Sequence, residues 1–277
     1  MKYDYIIIGA GSAGCVLANR LSAGARYNVL LLEAGPKDTN PWIHIPLGYG
    51  RLFAEPRVNW MYQSEPEPQL HGRRVFTPRG KVLGGSSSIN GLVHVRGQRE
   101  DFDEWARLGN AGWSFNDVLA YFRKSENYQH GENAYHGADG PLAVSDLPDK
   151  HRLCDAFIAA AAEAGIAPNN DFNGASQEGA GYYHSSARHG RRMSCAVAYL
   201  RPVRRRANLQ VITGALATRI HFEGRRAVAV EYTQAGVSRT VRAHREILLW
   251  AARSTHHSCC NSPALDRTPC LRVMGCR

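Results

Sequence analysis

Three groups of residues have types and spacings that could do chemistry. The first is Gly9-Ala10-Gly11-Ser12-Ala13-Gly14, with Glu33 nineteen residues beyond Gly14. Gly9 permits a tight turn, Gly11 lets the backbone approach a pyrophosphate, and Gly14 lets a helix pack closely on a strand. A helix starting there offers free N–H groups and its positive dipole end to phosphates. An acid at Glu33 can bind the two hydroxyls of an adenosine ribose, and its charge disfavours a 2′-phosphate. This pattern serves FAD and NAD equally.

The second group is Thr77-Pro78-Arg79-Gly80-Lys81-Val82-Leu83-Gly84-Gly85-Ser86-Ser87-Ser88-Ile89-Asn90-Gly91. It concentrates small and hydroxyl residues where a backbone could lie against a flat ligand. Val82, Leu83, Ile89, Leu92 and Val93 interrupt it with residues of buried type, which argues against a flexible linker. The third group is His256, His257, Cys259, Cys260, Cys270 and Cys276. Adjacent His-His and Cys-Cys pairs lack the spacing of zinc sites, so no metal is expected there.

The glycine turn needs a strand before it and a helix after it. Tyr3–Ile8 is an apolar, β-branched run with the profile of a parallel strand buried on both faces. Cys15–Leu21 has helical spacing, and Tyr27–Leu32 reads as a second buried strand ending at Glu33. Residues 36–75, rich in Pro, Gly and charge, read as an extended loop covering a cofactor. Helices are expected around Asp117–Asn127 and over Asp155–Gly165, the latter stopped by its glycine. Strands are expected at Leu209–Thr213, Arg226–Tyr232 and Glu246–Leu249.

Charged residues at 21% and aromatics at 9% fit an ordinary globular protein, and no apolar run is long enough to span a bilayer. Lys2 followed by Tyr3–Ile8 imitates a signal peptide, but the glycines at 9, 11 and 14 would break it. The reading is a buried strand in a cytoplasmic protein without an integral membrane segment. The formal charge of +10 is densest at Arg201, Arg204, Arg205 and Arg206, with Arg188, Arg191 and Arg192 upstream. Aromatic residues do not interleave with these, so a generally basic surface is expected and nucleic-acid binding is not.

The second motif carries a resemblance. GAGSAG with Glu33-Ala34-Gly35, GKVLGGSSSINGLVHVRG and Asp101-Phe102-Asp103-Glu104-Trp105 together resemble the glucose-methanol-choline (GMC) oxidoreductases. The likeness is strongest to their choline- and alcohol-dehydrogenase branch. It continues through Gly112-Trp113-Ser114, Tyr121-Phe122, His136-Gly137, Gly140-Pro141-Leu142 and Asp171-Phe172-Asn173-Gly174. Gly190-Arg191-Arg192, Tyr199-Leu200 and Asn208-Leu209 to Thr213 complete it, and it covers Met1 to about Leu249.

The resemblance implies an α/β fold: a Rossmann-like FAD-binding domain with the start of an α+β substrate-binding domain, incomplete. Residues 1–149 would be the FAD-binding domain with its covering loop and 150–205 the beginning of the substrate domain. Residues 206–249 would return to the FAD domain. Gly9, Gly11, Ser12, Ala13, Gly14, Glu33 and Ala34 would bind cofactor. So would Gly85 and Ala217, the latter through the Leu216-Ala217 backbone at the adenine. Val82 and the Asn90-Gly91-Leu92-Val93 turn would lie against the flavin and neighbouring phosphates. Ile89 stands where some members carry a flavin-linking histidine, so FAD would be noncovalent. His94 stands where an aromatic is common and is read as a tolerated substitution.

The reaction implied is oxidation of an alcohol or choline to an aldehyde, with hydride passing to flavin N5 and a separate electron acceptor in the full-length enzyme. The family's catalytic histidine belongs to a C-terminal region, so no catalytic residue is assigned; His71, His94, His136 and His184 are read as surface or structural residues. The alternative is an inactive FAD-binding fragment. An NAD-dependent enzyme ranks behind both, since it gives GGSSSIN no task.

Residues 250–277, WAARSTHHSCCNSPALDRTPCLRVMGCR, lack periodicity and shift towards Cys, Arg and His. A one-base offset at codon 250 permits the reading GGAIHSPQLLQLSGIG, which resembles the second family motif, so this tail is expected to be off-frame. It holds four Arg and one Asp; setting aside its net +3 lowers +10 to +7.

Overall fold

The computed structural model describes residues 2–250; residues 251–277 of the tail expected to be off-frame, with its His and Cys groups, lie outside the described residues. Along the chain run β1 (Tyr3–Ile8), α1 (Ser12–Leu21), β2 (Val29–Glu33), α2 (Pro41–His44), α3 (Tyr49–Phe53), β3 (Tyr62–Gln63) and β4 (Phe76–Thr77). Then come α4 (Arg99–Arg107), α5 (Phe115–Ser125), β5 (Glu126–Tyr128), β6 (Leu142–Val144), α6 (Arg152–Glu163), β7 (Ala187–Arg188) and β8 (Arg191–Arg192). The last strands are β9 (Leu209–Thr213), β10 (Ala215–Glu223), β11 (Arg226–Gln234) and β12 (Val237–Leu249). These elements divide into two compact units, 2–89 with 194–250, and Asn90–Met193.

The first unit is built on a six-stranded sheet in the order β10-β11-β12-β1-β2-β9. β1 pairs in parallel with both β2 and β12, and β2 with β9. Central parallel strands are covered on both faces, which is why β2 is buried at all five positions and Ile6 and Ile7 are fully buried. β10, β11 and β12 form an antiparallel meander. β12 does double duty: its first half pairs with β11 and its second half with β1. One core joins Tyr3, Ile6, Ile8, Leu30 and Leu32 to Ile220, Val230, Tyr232 and Ile247 of the meander. A smaller core holds Ile43, Leu52, Val58, Val82 and Ile89. Residues 36–75 are thus not one extended loop: α2, capped by Asn40 and started by Pro41, and α3 supply Ile43 and Leu52 to that core.

The second unit has a charged centre. Glu126, at the start of β5, is 1% exposed as a side chain, and His136 is fully buried. His136 Nδ1 lies 2.9 Å from Glu126 Oε2, and its Nε2 lies 3.0 Å from Asp171 Oδ2. Arg96 Nη2 donates to Glu126 Oε2 at 2.8 Å, and Arg96 Nη1 donates to the Tyr135 carbonyl at 2.7 Å. Burial alone would neutralise His136, but its bonds to Asp171 and Glu126 outweigh that and lift its pKa to about 9. The same pairing overcomes burial to hold Glu126 and Asp171 below their ordinary values. Two cations and two anions therefore balance in one site.

This cluster ties residues 96–136 to residue 171 within the compact unit Asn90–Met193. The helix expected around 117–127 ends at Ser125 because Glu126–Tyr128 pairs with Leu142–Val144 instead. Its start is fixed by a capping box in which Ser114 Oγ accepts from Asp117 N–H and Asp117 accepts from Ser114 N–H.

Candidate functional site

The turn between β1 and α1 has the geometry its glycines require. Gly9 sits at φ +96°, in the left-handed region. A Cβ on Gly14 would lie 1.9 Å from the Gly9 carbonyl oxygen, so only glycine lets α1 come this close. Gly11 differs from both: a Cβ there would meet nothing within 4 Å. It caps α1 without a side-chain hydrogen bond, and the first helical turn carries no acid. The open N–H groups and dipole end are therefore available to an anion.

Glu33, 6% exposed, is clamped beside this turn. Ala10 N–H donates to its Oε2 and Gly35 N–H to its Oε1, both at 2.8 Å. Burial pushes the Glu33 carboxyl up, against the pull of those two N–H groups and of Lys81. Each oxygen accepts one protein bond here and keeps further acceptor capacity for a ligand hydroxyl.

The second motif meets the first. Gly84 N–H donates to the Ala10 carbonyl at 2.8 Å, and a Cβ on Gly85 would lie 2.7 Å from Gly11 Cα. Together they border a cavity of about 460 Å³ whose lining includes Gly9, Gly11, Ser12, Glu33, Ala34, Gly85 and Ala217. That size is within the range of small-molecule sites, roughly 300–1,000 Å³. Ile8, Leu32, Trp60, Tyr62, Ala215, Leu216 and Trp250 supply apolar surface to it. Trp60 and Tyr62 are stacked with centroids 5.8 Å apart, and Lys81 Nζ sits 4.6 Å from the Trp60 ring centroid. This wall was not singled out from the sequence. The alternation Trp60-Met61-Tyr62, which puts both rings on one face of an extended segment, is the signal that could have found it.

The remaining candidate residues fall elsewhere. Ala13 and Gly14 lie within α1, and Val82 places its side chain in the small core; none of the three lines the cavity. Asn90-Gly91-Leu92-Val93 belongs to the second unit. There Asn90 Oδ1 accepts from Leu92 N–H at 3.2 Å and from Arg192 Nη1 at 2.7 Å. Leu92 has φ +64°, and its carbonyl accepts from Ser186 N–H at 2.8 Å. His94, whose Nε2 is 3.3 Å from Glu126 Oε1, belongs to the charged centre of that unit. Among the described residues, no group of three or more His, Cys, Asp or Glu is arranged to hold a metal ion. None of the described helices is long and apolar enough to cross a membrane.

Comparison with known proteins gives this geometry a context. A family model described as GMC oxidoreductase matches residues 3–262. An alcohol dehydrogenase [acceptor] from Pseudomonas putida is 51% identical over 241 residues, 87% of this chain and 44% of that protein. An oxygen-dependent choline dehydrogenase from Sinorhizobium fredii is 46% identical over 265 residues, 96% of this chain and 47% of that protein. A solved FAD-dependent oxidoreductase from Chaetomium thermophilum superposes with a TM-score of 0.83 at 30% identity, over 90% of this chain and 45% of the other. The chain thus spans about half the length of the curated relatives it matches.

Proposed function

We propose a function from one premise: the chain belongs to the GMC oxidoreductase family. It is the cofactor-binding portion of an FAD-dependent oxidoreductase that acts on the CH–OH group of a small alcohol and passes electrons to a separate acceptor. FAD supplies, when bound, a hydride acceptor at its N5. The residues of this chain bind and orient it. The Gly9–Gly14 turn and the N-terminus of α1 receive the pyrophosphate. Glu33 accepts from the ribose hydroxyls of the adenosine half. Leu216 and Ala217 border the adenine, and the Val82 backbone serves the flavin end. Attachment is noncovalent: beside Asn90 stands Ile89, 2% exposed and without a nucleophile.

The observation that carries this reading is Gly11, a glycine whose missing side chain leaves a cradle beside a helix N-terminus and a fixed carboxylate. Purified protein is expected to carry, or take up, a flavin with its visible absorption. Gly11→Val should abolish uptake while far-ultraviolet circular dichroism stays unchanged, because the new side chain enters open space. A Gly11→Val protein that retains flavin at the wild-type level would overturn the site assignment.

The 277-residue chain by itself is proposed to hold cofactor without oxidising alcohols. The histidine expected of the family, with its His or Asn partner, is assigned by the resemblance to the C-terminal part of the relatives; buried His136 is held between Glu126 and Asp171, and buried His184 lies against the Tyr128 hydroxyl and Asp146. The comparison is alcohol-dependent dye reduction by this chain and by a full-length version; equal turnover refutes the claim. The offset-frame reading of residues 250–277 stands beside a family match that runs to residue 262. Sequencing the gene across codon 250 decides it, an intact frame removing that reading.

A further inference from the structure

A second cavity, of about 740 Å³, lies wholly within the first unit and shares no lining residue with the cofactor cavity. Two short helices contribute its key side chains. α2 and α3 each send one residue into the small core, Ile43 and Leu52. Their sequence neighbours, Trp42 and Arg51, border the cavity. Trp42 N–H donates to Asn40 Oδ1 at 3.0 Å, and a Cβ on Gly48 would lie 2.3 Å from the Trp42 carbonyl oxygen, so the backbone around Trp42 is fixed on both sides. The Arg51 guanidinium carbon lies 4.4 Å from the Trp42 ring centroid. The wall is also tied to the second motif: Lys81 N–H donates to the Val58 carbonyl at 2.8 Å and Leu83 N–H to the Pro36 carbonyl at 3.1 Å. Walls set before binding lose little freedom when a ligand arrives.

Charge identifies the ligand. Four charged residues border the cavity: Lys37, Arg51, Glu55 and Arg57. Glu55 is taken by Arg57, whose Nε and Nη2 donate to its two oxygens at 2.9 and 3.0 Å. Asp38, next to Lys37 in sequence, faces Arg201 Nη2 at 3.5 Å. Among the described residues, the side chains of Lys37 and Arg51 have no hydrogen-bond or ion-pair partner. Stacking on Trp42 occupies a face of the Arg51 guanidinium and leaves its N–H edges free, the arrangement that reads planar oxyanions. Leu52 and Val58, 1% and 3% exposed, add apolar surface to the lining. The volume exceeds what an inorganic ion needs and falls in the range of small-molecule sites, roughly 300–1,000 Å³.

We propose that this cavity is a binding site for an organic anion: a carboxylate, sulfonate or phosphate on a flat or apolar body, its acid group on Arg51 and Lys37 and its body against Trp42 and Leu52. The site is separate from the cofactor cavity and goes beyond the functional reading above without resting on it.

The test is calorimetric titration of the full 277-residue chain with naphthalene-2-sulfonate, its uncharged sulfonamide and inorganic sulfate, with flavin uptake measured separately by absorbance. The sulfonate should bind at least about ten-fold more tightly than either of the others, since it alone offers both a charge and an apolar ring. Its affinity should fall as salt rises from about 50 to about 500 mM. Arg51→Gln should weaken the sulfonate about ten-fold or more, and Trp42→Ala about three-fold or more, with circular dichroism and flavin uptake unchanged. Equal binding of sulfonate and sulfonamide, or sulfonate binding untouched by both substitutions, overturns the proposal. So does loss of flavin uptake together with sulfonate binding in Arg51→Gln, which would make the cavity an extension of the cofactor site. Co-sedimentation with phosphatidylglycerol vesicles by a protein that does not bind the sulfonate overturns it too, since the cations would then serve a lipid surface. Failure of flavin uptake with sulfonate binding intact removes the flavin reading and leaves this site standing.

Discussion

The glycine turn of the first unit and the charged centre of the second solve the same problem, bringing distant segments into close contact, by opposite means. Around Gly9–Gly14 the chain removes side chains so that backbones touch, and the surrounding core is apolar. Around Glu126 it buries full charges and satisfies them with one another. Removing atoms from contacts leaves room for a ligand. Filling them with matched charges leaves none, and it makes each partner intolerant of losing another.

The contrast can be broken most severely at Glu126. Glu126→Ala strands Arg96 and His136 in a buried site and should destabilise the protein by about 3–5 kcal/mol in urea denaturation. A loss near zero would show that the cluster does not organise the second unit. Gly14→Ala comes next. Its Cβ would collide with the Gly9 carbonyl, a backbone atom that cannot swing away, and the expected cost is about 1–3 kcal/mol by the same measurement.

The acid side of the pH range separates the two units. His136, at about 9 in the fold against an ordinary 6.5, contributes stability that is complete below about pH 6.5 and lost as pH rises through about 9. Glu126 and Asp171, held below 4.5 and 3.8, contribute above those values and lose it as pH falls. Glu33 is raised by burial, so its contribution is present below about pH 4.5 and declines as pH climbs through its elevated value. Pulse proteolysis mapped by mass spectrometry should therefore release second-unit peptides before first-unit ones as pH falls from 5 to 2, where Glu126 and Asp171 lose their contribution and Glu33 keeps its own. First-unit peptides appearing first over that range would contradict the linkage. The smallest effect belongs to Gly11→Ala, expected to move stability by no more than about 0.5 kcal/mol while weakening flavin uptake. A large destabilisation there would mean that the open space at Gly11 is needed by the fold itself.

What could be read from the sequence follows the range of the forces involved. β1 and β9 have the expected bounds, Tyr3–Ile8 and Leu209–Thr213, because buried parallel strands announce themselves as unbroken apolar runs. The place of Glu33 at the end of β2 was legible from spacing, since a short βαβ unit fixes it locally. β10 was missed, and only Glu246–Leu249 of β12 was expected, because the meander alternates charge and small residues over an exposed face. Turn signals were nevertheless present at Gly224 (φ +58°) and at Ala235-Gly236 (φ +50° and +78°). The Arg96–Glu126–His136–Asp171 centre was beyond local reading: its bonded partners are separated by 10 to 35 positions and share no period. The Trp60–Tyr62 wall belonged to a segment whose Pro, Gly and charge masked its short helices.

The register of β1 also sets a timetable. Tyr3 pairs with Ala243, 240 residues later. Ribosomes add about 5–20 residues per second, so the first strand waits on the order of 12–48 s for this neighbour to be synthesised. During that interval Ile6, Ile7 and Ile8 have an unclaimed edge, the kind that recruits strands from other nascent chains. Soluble yield should therefore respond to translation speed and holdase chaperones more strongly than the finished sheet's burial would suggest.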